Sequence, residues 1–257
     1  MSLYPTGYIK YFFTMFVDCD SEIFCDLVHP VARRIVLEKL NHSDAFCPEW
    51  QLTIHFGPVV SIENVVEAGG EIKEKIFNTL TFKLNTKISA VRIVEHGLEP
   101  RNGEGGILNA ILPSLQCNAS GRSGCMSLSK DSIEDIQRTL SGSPDFGHSP
   151  TIGLFRHAVS ADDPVVQFLC LYLIFDVSLK KQLDIDRQIV LLEPTIPMSP
   201  SPHGQGKMET VYTRLRNEFV HRADVNPQVT RGEIESRLDS FRRIVRKFID
   251  GEGSAAQ

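Results

Sequence analysis

Leu215-Arg216-Asn217-Glu218-Phe219-Val220-His221, inside the longer run Met208 to Arg222, is the stretch on which the reading of the fold turns. Its length, composition and apolar spacing predict a helix. Projected at about 100° per residue, Met208, Val211, Tyr212, Leu215 and Phe219 form one apolar stripe that should face a core. Asn217 and His221 fall one turn apart on nearly the opposite side, with Arg214 three residues before Asn217. Arg216 and Val220 lie on the flank between. A back face of Arg, Asn, His and Val is a surface suited to a partner as well as to water.

The segments on either side of this helix are also legible. Glu193 to Gly206 holds four prolines (Pro194, Pro197, Pro200, Pro202) and predicts a long irregular loop leading into Met208. Upstream, Ser160-Ala161-Asp162-Asp163-Pro164 opens a helix, Val165 to Lys180, that is apolar almost all round and should be the buried centre of a bundle. Asp176 is its odd member, four residues after Tyr172, and needs an arginine from a neighbouring helix. Thr151 to Val159 reads as a shorter helix, and Ser129 can cap another through Leu140, with Asp131 and Glu134 in its first turn. Downstream, Asp224-Val225-Asn226-Pro227 ends the motif helix. Glu233 to Ile249 then repeats Ile234, Leu238, Phe241, Ile244/Val245 and Phe248 at helical spacing.

The first half reads differently. Gly7 to Asp18 is aromatic and branched, and Glu49 to Phe56 alternates apolar and polar through Trp50, Leu52, Ile54 and Phe56. Val59 to Glu67, Phe77 to Leu84 and Ile88 to Glu95 are further candidate strands, with Ala68-Gly69-Gly70 as a turn. Val31 to Leu40 reads as a short helix with Pro30 near its first turn, or else as a loop. Strands before helices predict an α+β chain. The expected division is a β-rich domain over 1–115, a Ser/Gly/Cys-rich linker or loop over 116–130, a helical bundle over 131–250, and a disordered tail over 251–257.

Composition bounds the function. With 42% hydrophobic and 23% charged residues the chain is of the ordinary globular class. A net charge of -5 argues against whole-surface attraction to nucleic acid, though not against a local basic patch. The basic run Arg242-Arg243-Arg246-Lys247 reads first as the solvated face of an amphipathic helix, with phosphate contact as the sharper alternative. Six cysteines show no C-x-x-C pairing, and His148 and His157 have no acidic ligand at helical spacing, so no metal site is expected. No flavin, nicotinamide or quinone-forming context is present either, and no cofactor is expected. Tyr8 to Val17 is apolar but too short to span a bilayer. We read the chain as reduced and cytoplasmic, with no membrane association.

The run Thr-Arg-Leu-Arg-Asn-Glu-Phe-Val-His, 213–221, resembles the Arg-Asn-x-x-x-His signature of the HEPN superfamily. The run from Leu154 to Asp176 looks like the first helix pair of that family, closest to its MauJ-like (methylamine-utilisation) or Apea-like branch. Asp176 stands where those relatives usually carry Glu. The resemblance covers roughly residues 130 to 250 and implies a HEPN-like all-helical bundle that forms a homodimer through the motif helix.

In nuclease relatives the paired motifs form a metal-independent ribonuclease site. Carried over, His221 is the general acid/base at the ribose 2′-hydroxyl or the leaving oxygen, Arg216 stabilises charge on the phosphate, and Asn217 orients phosphate or imidazole. Tyr172, Asp176, Arg214 and Glu218 would support them. Glu218 is placed to pair with Arg214 or Arg222. Two functions follow from the resemblance. One is a non-catalytic module that binds or senses a ligand or partner, with Arg216 neutralising Asp176. The other is an endoribonuclease of toxin or defence type, with RNA or a nucleotide as partner.

Overall fold

The computed structural model describes residues 6–18, 23–27, 29–40, 48–59, 61–99, 126–142, 149–201, 206–221 and 226–255. Over these the chain is α+β, an antiparallel sheet followed by helices, and it divides into two compact units, Met1–Ser149 and Pro150–Gln257.

The first unit contains β1 (Thr6–Met15), β2 (Val17–Asp18), β3 (Ile23–Asp26), β4 (Ala32–Leu40), β5 (Glu49–Pro58), α1 (Ile62–Leu84), β6 (Ile88–Glu99), β7 (Met126–Ser127) and α2 (Lys130–Gly142). Five of the strands form a sheet in the order β3-β4-β5-β1-β6, antiparallel at every step. Side chains alternate across the sheet, so its register decides its faces. Ile9 lies opposite Ile54, which faces Ile35, and Tyr11 lies opposite Leu52, which faces Leu37. That apolar face receives α1, with Phe13 and Phe77 at 4.8 Å between ring centroids.

Three expectations are corrected here. Val31–Leu40 is not a helix: from Ala32 it is β4, paired to both β3 and β5, because its branched run Ile35-Val36-Leu37 serves a sheet position. Val59–Glu67 and Phe77–Leu84 are not two strands joined by a glycine turn. They belong largely to one helix, α1, capped by the Ser61 hydroxyl and closed by Asn85 in the left-handed region at φ 50°. Val65, Ile72, Ile76 and Leu80 supply its buried stripe. Gly69 sits inside the helix because the sheet approaches it closely. A Cβ there would lie 2.8 Å from Ile9 Cγ2.

The third correction concerns the domain division. α2 does not join the helical bundle. Ile136 and Leu140 are buried in the core of the first unit, Gln137 Nε2 donates to the Phe24 carbonyl at 2.8 Å, and the Cys25 thiol lies 3.1 Å from the Ser141 hydroxyl. The boundary therefore falls at 149/150, where the expected bundle began at 131. Of the linker or loop expected over 116–130, residues 116–125 lie outside the described residues, whereas Met126–Ser127 form β7 and Lys130 opens α2.

The second unit holds α3 (Pro150–Ser160), α4 (Pro164–Leu179), α5 (Gln182–Leu192), β8 (Met198–Pro200), β9 (Met208–Thr210), α6 (Val211–His221) and α7 (Pro227–Ala255). Asp163 caps α4, accepting from the backbone N–H of Val165 at 2.8 Å and of Val166 at 3.2 Å. Phe168, Tyr172 and Phe175 bury one side of α4 against Phe241 of α7. α4 is not buried all round: Val166, Leu173 and Val177 are exposed.

The proline-rich loop is partly regular, since β8 pairs antiparallel with β9. Residues 202–205, including His203, lie outside the described residues. α5 was not anticipated, and α7 continues through the expected tail to Ala255.

Candidate functional site

The motif helix starts three residues later than Met208. Thr210 ends β9, and its hydroxyl accepts from the Thr213 N–H at 3.3 Å, a hydrogen bond that sets the helix N-terminus. Met208 is consequently a strand residue and is 47% exposed. Val211, Tyr212 and Leu215 are buried as the stripe requires, but Phe219 is 41% exposed.

Beneath this helix start lies a buried polar cluster. Asp186 of α5, 4% exposed, accepts three hydrogen bonds at Oδ1: from the Thr210 N–H at 2.9 Å, the Thr210 hydroxyl at 2.8 Å and the Thr213 hydroxyl at 2.7 Å. The Thr213 hydroxyl also lies 3.0 Å from the Tyr172 phenol oxygen. Desolvation pushes the Tyr172 phenol well above its ordinary range. Tyr172 is therefore a structural link between α4 and α6, not a titrating group.

Arg216 and Asn217 continue the network one turn along. Asn217, expected on the outer face, is only 4% exposed. Its Nδ2 donates to Glu209 Oε2 at 3.3 Å, and Gln182 Nε2 reaches the same oxygen at 3.4 Å. Glu209 is 1% exposed, so the amide turns inward to serve a buried carboxylate. Arg216 Nη1 donates to Asn217 Oδ1 at 3.1 Å, and Arg216 Nη2 lies 3.8 Å from Asp176 Oδ2. Its guanidinium also sits 5.7 Å from the centroid of the Tyr172 ring. Burial pushes the Asp176 carboxyl above its ordinary value, and Arg216 works in the opposite direction. The arginine that Asp176 needed is thus Arg216.

Arg214 and Glu218 lie apart from that pair. Arg214 Nη1 holds Glu218 at 2.9 Å, and its Nη2 holds Glu233 of α7 at 2.6 Å. Glu233 also receives Arg237 Nε at 3.2 Å. Burial alone would raise the Glu233 carboxyl, but the two guanidiniums hold it below its usual value. His221 is the last residue of α6, and its side chain lies outside the described residues, as does Arg222. Among the described residues no three His, Cys, Asp or Glu side chains converge as metal ligands would.

The structure thus brings Asp176, Tyr172, Arg216 and Asn217 into one network and leaves Arg214 and Glu218 in a separate ion pair to α7. The residues that organise the network and were missed are Gln182, Asp186, Glu209, Thr210 and Thr213. Two local signals pointed to them. Thr210 precedes Thr213 by the three residues that a cap needs, and Asp186 sits between Ile185 and Ile189 on a face that must be buried. Comparison of the chain with protein-family models, curated proteins and solved structures returned no match. The site has to be interpreted from its own chemistry.

Proposed function

We propose that the helical unit Pro150–Gln257 is a HEPN-like module of the MauJ-like type, one that binds or senses a ligand or partner without cutting it. The observation that carries this reading is the engagement of the motif side chains. Arg216 is shared among Asp176, Asn217 and the Tyr172 ring, and Asn217 is buried against Glu209. A guanidinium that must meet phosphate in a transition state has to be aimed at the position where charge develops. Here it is aimed at carboxylate and amide, and releasing it would leave Asp176 without its counter-ion.

A partner surface is supported separately. Phe219 and Val220 are exposed beside the motif, and Val166, Leu173 and Val177 are exposed along α4. Val166, Leu173 and Val177 recur at helical spacing on one face of α4, an apolar stripe that suits a second copy of the chain or another protein.

The test is incubation of the purified chain with single-stranded RNA in EDTA, alone and with candidate activating ligands. The expected result is intact RNA. Cutting by the wild type, abolished in His221→Ala while the fold survives, would replace this reading with the metal-independent endoribonuclease.

A further inference from the structure

Away from the Arg216 network, the second unit carries an open cleft of about 540 Å³ lined by α7, by the segment Glu193–Pro197 and by Tyr212. Its floor is a single face of α7: Ser236, Ser240, Arg243 and Lys247 recur at helical spacing, and Arg237 flanks them. Arg237 is held by Glu233, so two further cations, Arg243 and Lys247, share the cleft with one lining carboxylate, Glu193, in a chain whose net charge is -5. The basic run Arg242-Arg243-Arg246-Lys247, expected as a solvated helix face, contributes Arg243 and Lys247 to a concave surface.

The wall opposite α7 is preformed. The Val211 N–H donates to the Pro197 carbonyl at 3.0 Å and the Ile196 N–H to the Glu193 carbonyl at 3.1 Å. The Thr195 hydroxyl donates to Glu193 Oε1 at 2.9 Å, and Lys247 Nζ lies 3.8 Å from Glu193 Oε2. Glu193 is thereby occupied by Thr195 and Lys247, and Lys247 Nζ also donates to the Leu192 carbonyl at 3.4 Å. Arg243 is exposed and donates to the Ser240 hydroxyl at 3.1 Å, a neutral partner. Burial raises the Tyr212 phenol to about 12, opposed by Arg237 and Arg243 and reinforced by Glu193, so it remains an O–H donor at neutral pH.

We propose that this cleft is a binding site for a small organic phosphate, its phosphate held by Arg243 and Lys247 with help from Ser240, and its body lying against Ile196 and Ile244. The fork of an arginine matches phosphate oxygens, and the size of the cleft favours an ester over a bare ion. The cleft falls within the volume range of small-molecule sites, roughly 300–1,000 Å³, far more than one phosphate needs. The proposal deepens the binding-module reading by naming a ligand class. It is tested by binding, whereas that reading is tested by RNA cleavage, so either can fail alone.

The experiment is titration calorimetry of the full chain at fixed ionic strength with phenyl phosphate, inorganic phosphate and phenol. Phenyl phosphate should bind about tenfold more tightly than inorganic phosphate, and phenol should show no heat. Arg243→Gln and Lys247→Gln should each weaken phenyl phosphate by about tenfold or more. Arg187→Gln, an exposed change on α5, should leave it unaltered. Both cleft positions are exposed, so both variants should keep the wild-type circular dichroism. No binding of phenyl phosphate to the wild type, or equal affinity in Arg243→Gln and Arg187→Gln, would overturn the proposal.

Discussion

Asp186→Ala should destabilise the helical unit by on the order of 3–5 kcal/mol, read as a fall in the urea midpoint of its far-UV circular dichroism. The reason is an accounting of donors. One carboxylate oxygen accepts from the Thr210 N–H, the Thr210 hydroxyl and the Thr213 hydroxyl, all of them buried. Removing it strands these donors where water does not reach, and an unmade buried hydrogen bond costs more than a made one contributes. It also loosens the residue whose hydroxyl caps α6. Asp186→Asn keeps an oxygen at the same position and should recover most of the loss. Equal losses in the Ala and Asn variants would mean that charge, not hydrogen-bond acceptance, is what the site requires.

Phe241→Ala should cost about 3–5 kcal/mol for the same unit, from lost burial plus the cavity left behind. Phe241 is fully buried and stands among four aromatic rings, with Tyr212 at 4.3 Å, Phe168 at 5.1 Å, Phe175 at 6.1 Å and Tyr172 at 6.3 Å between centroids. It therefore joins α7 to both α4 and α6. Against a typical domain stability of about 5–15 kcal/mol, such a loss should leave a measurable unfolded fraction at physiological temperature. Phe241→Leu, which refills much of the space, should cost clearly less. A Phe241→Ala variant melting with the wild type would show that the four rings close over the gap.

Much of the helical unit was legible because its signals are local. Asp163-Pro164 announced the start of α4, and an acid inside an apolar helix at Asp176 demanded an arginine. The sheet was legible where strands alternate, as in β5, and at β6. Elsewhere the deciding contact lies far away in sequence. Gly69-Gly70 has the look of a turn, and only the approach of Ile9 to Gly69 shows why a helix carries glycine there. Val31–Leu40 has both a proline suited to a helix start and a branched run suited to a strand, and pairing with two neighbours decides between them.

Asn217 failed for a related reason. An apolar stripe at Val211, Tyr212 and Leu215 shows which side of α6 meets the core. It cannot show that Glu209, from the preceding strand, is itself buried and draws the amide inward. The candidate chemistry of Arg216 and Asn217 was visible as residue types, whereas their engagement depends on Asp176, Glu209 and Gln182 from other elements.

Arg216 is a structural tie before it is anything else, and the experiment that decides this is thermal melting of Arg216→Ala. The change removes the hydrogen bond to Asn217, the ion pair with Asp176 and the contact with the Tyr172 ring. A loss of about 1–1.5 kcal/mol is expected, which for a unit of this size lowers the melting temperature by roughly 4–8 °C. An unchanged melting temperature, together with the disappearance of an RNA-cutting activity present in the wild type, would contradict it.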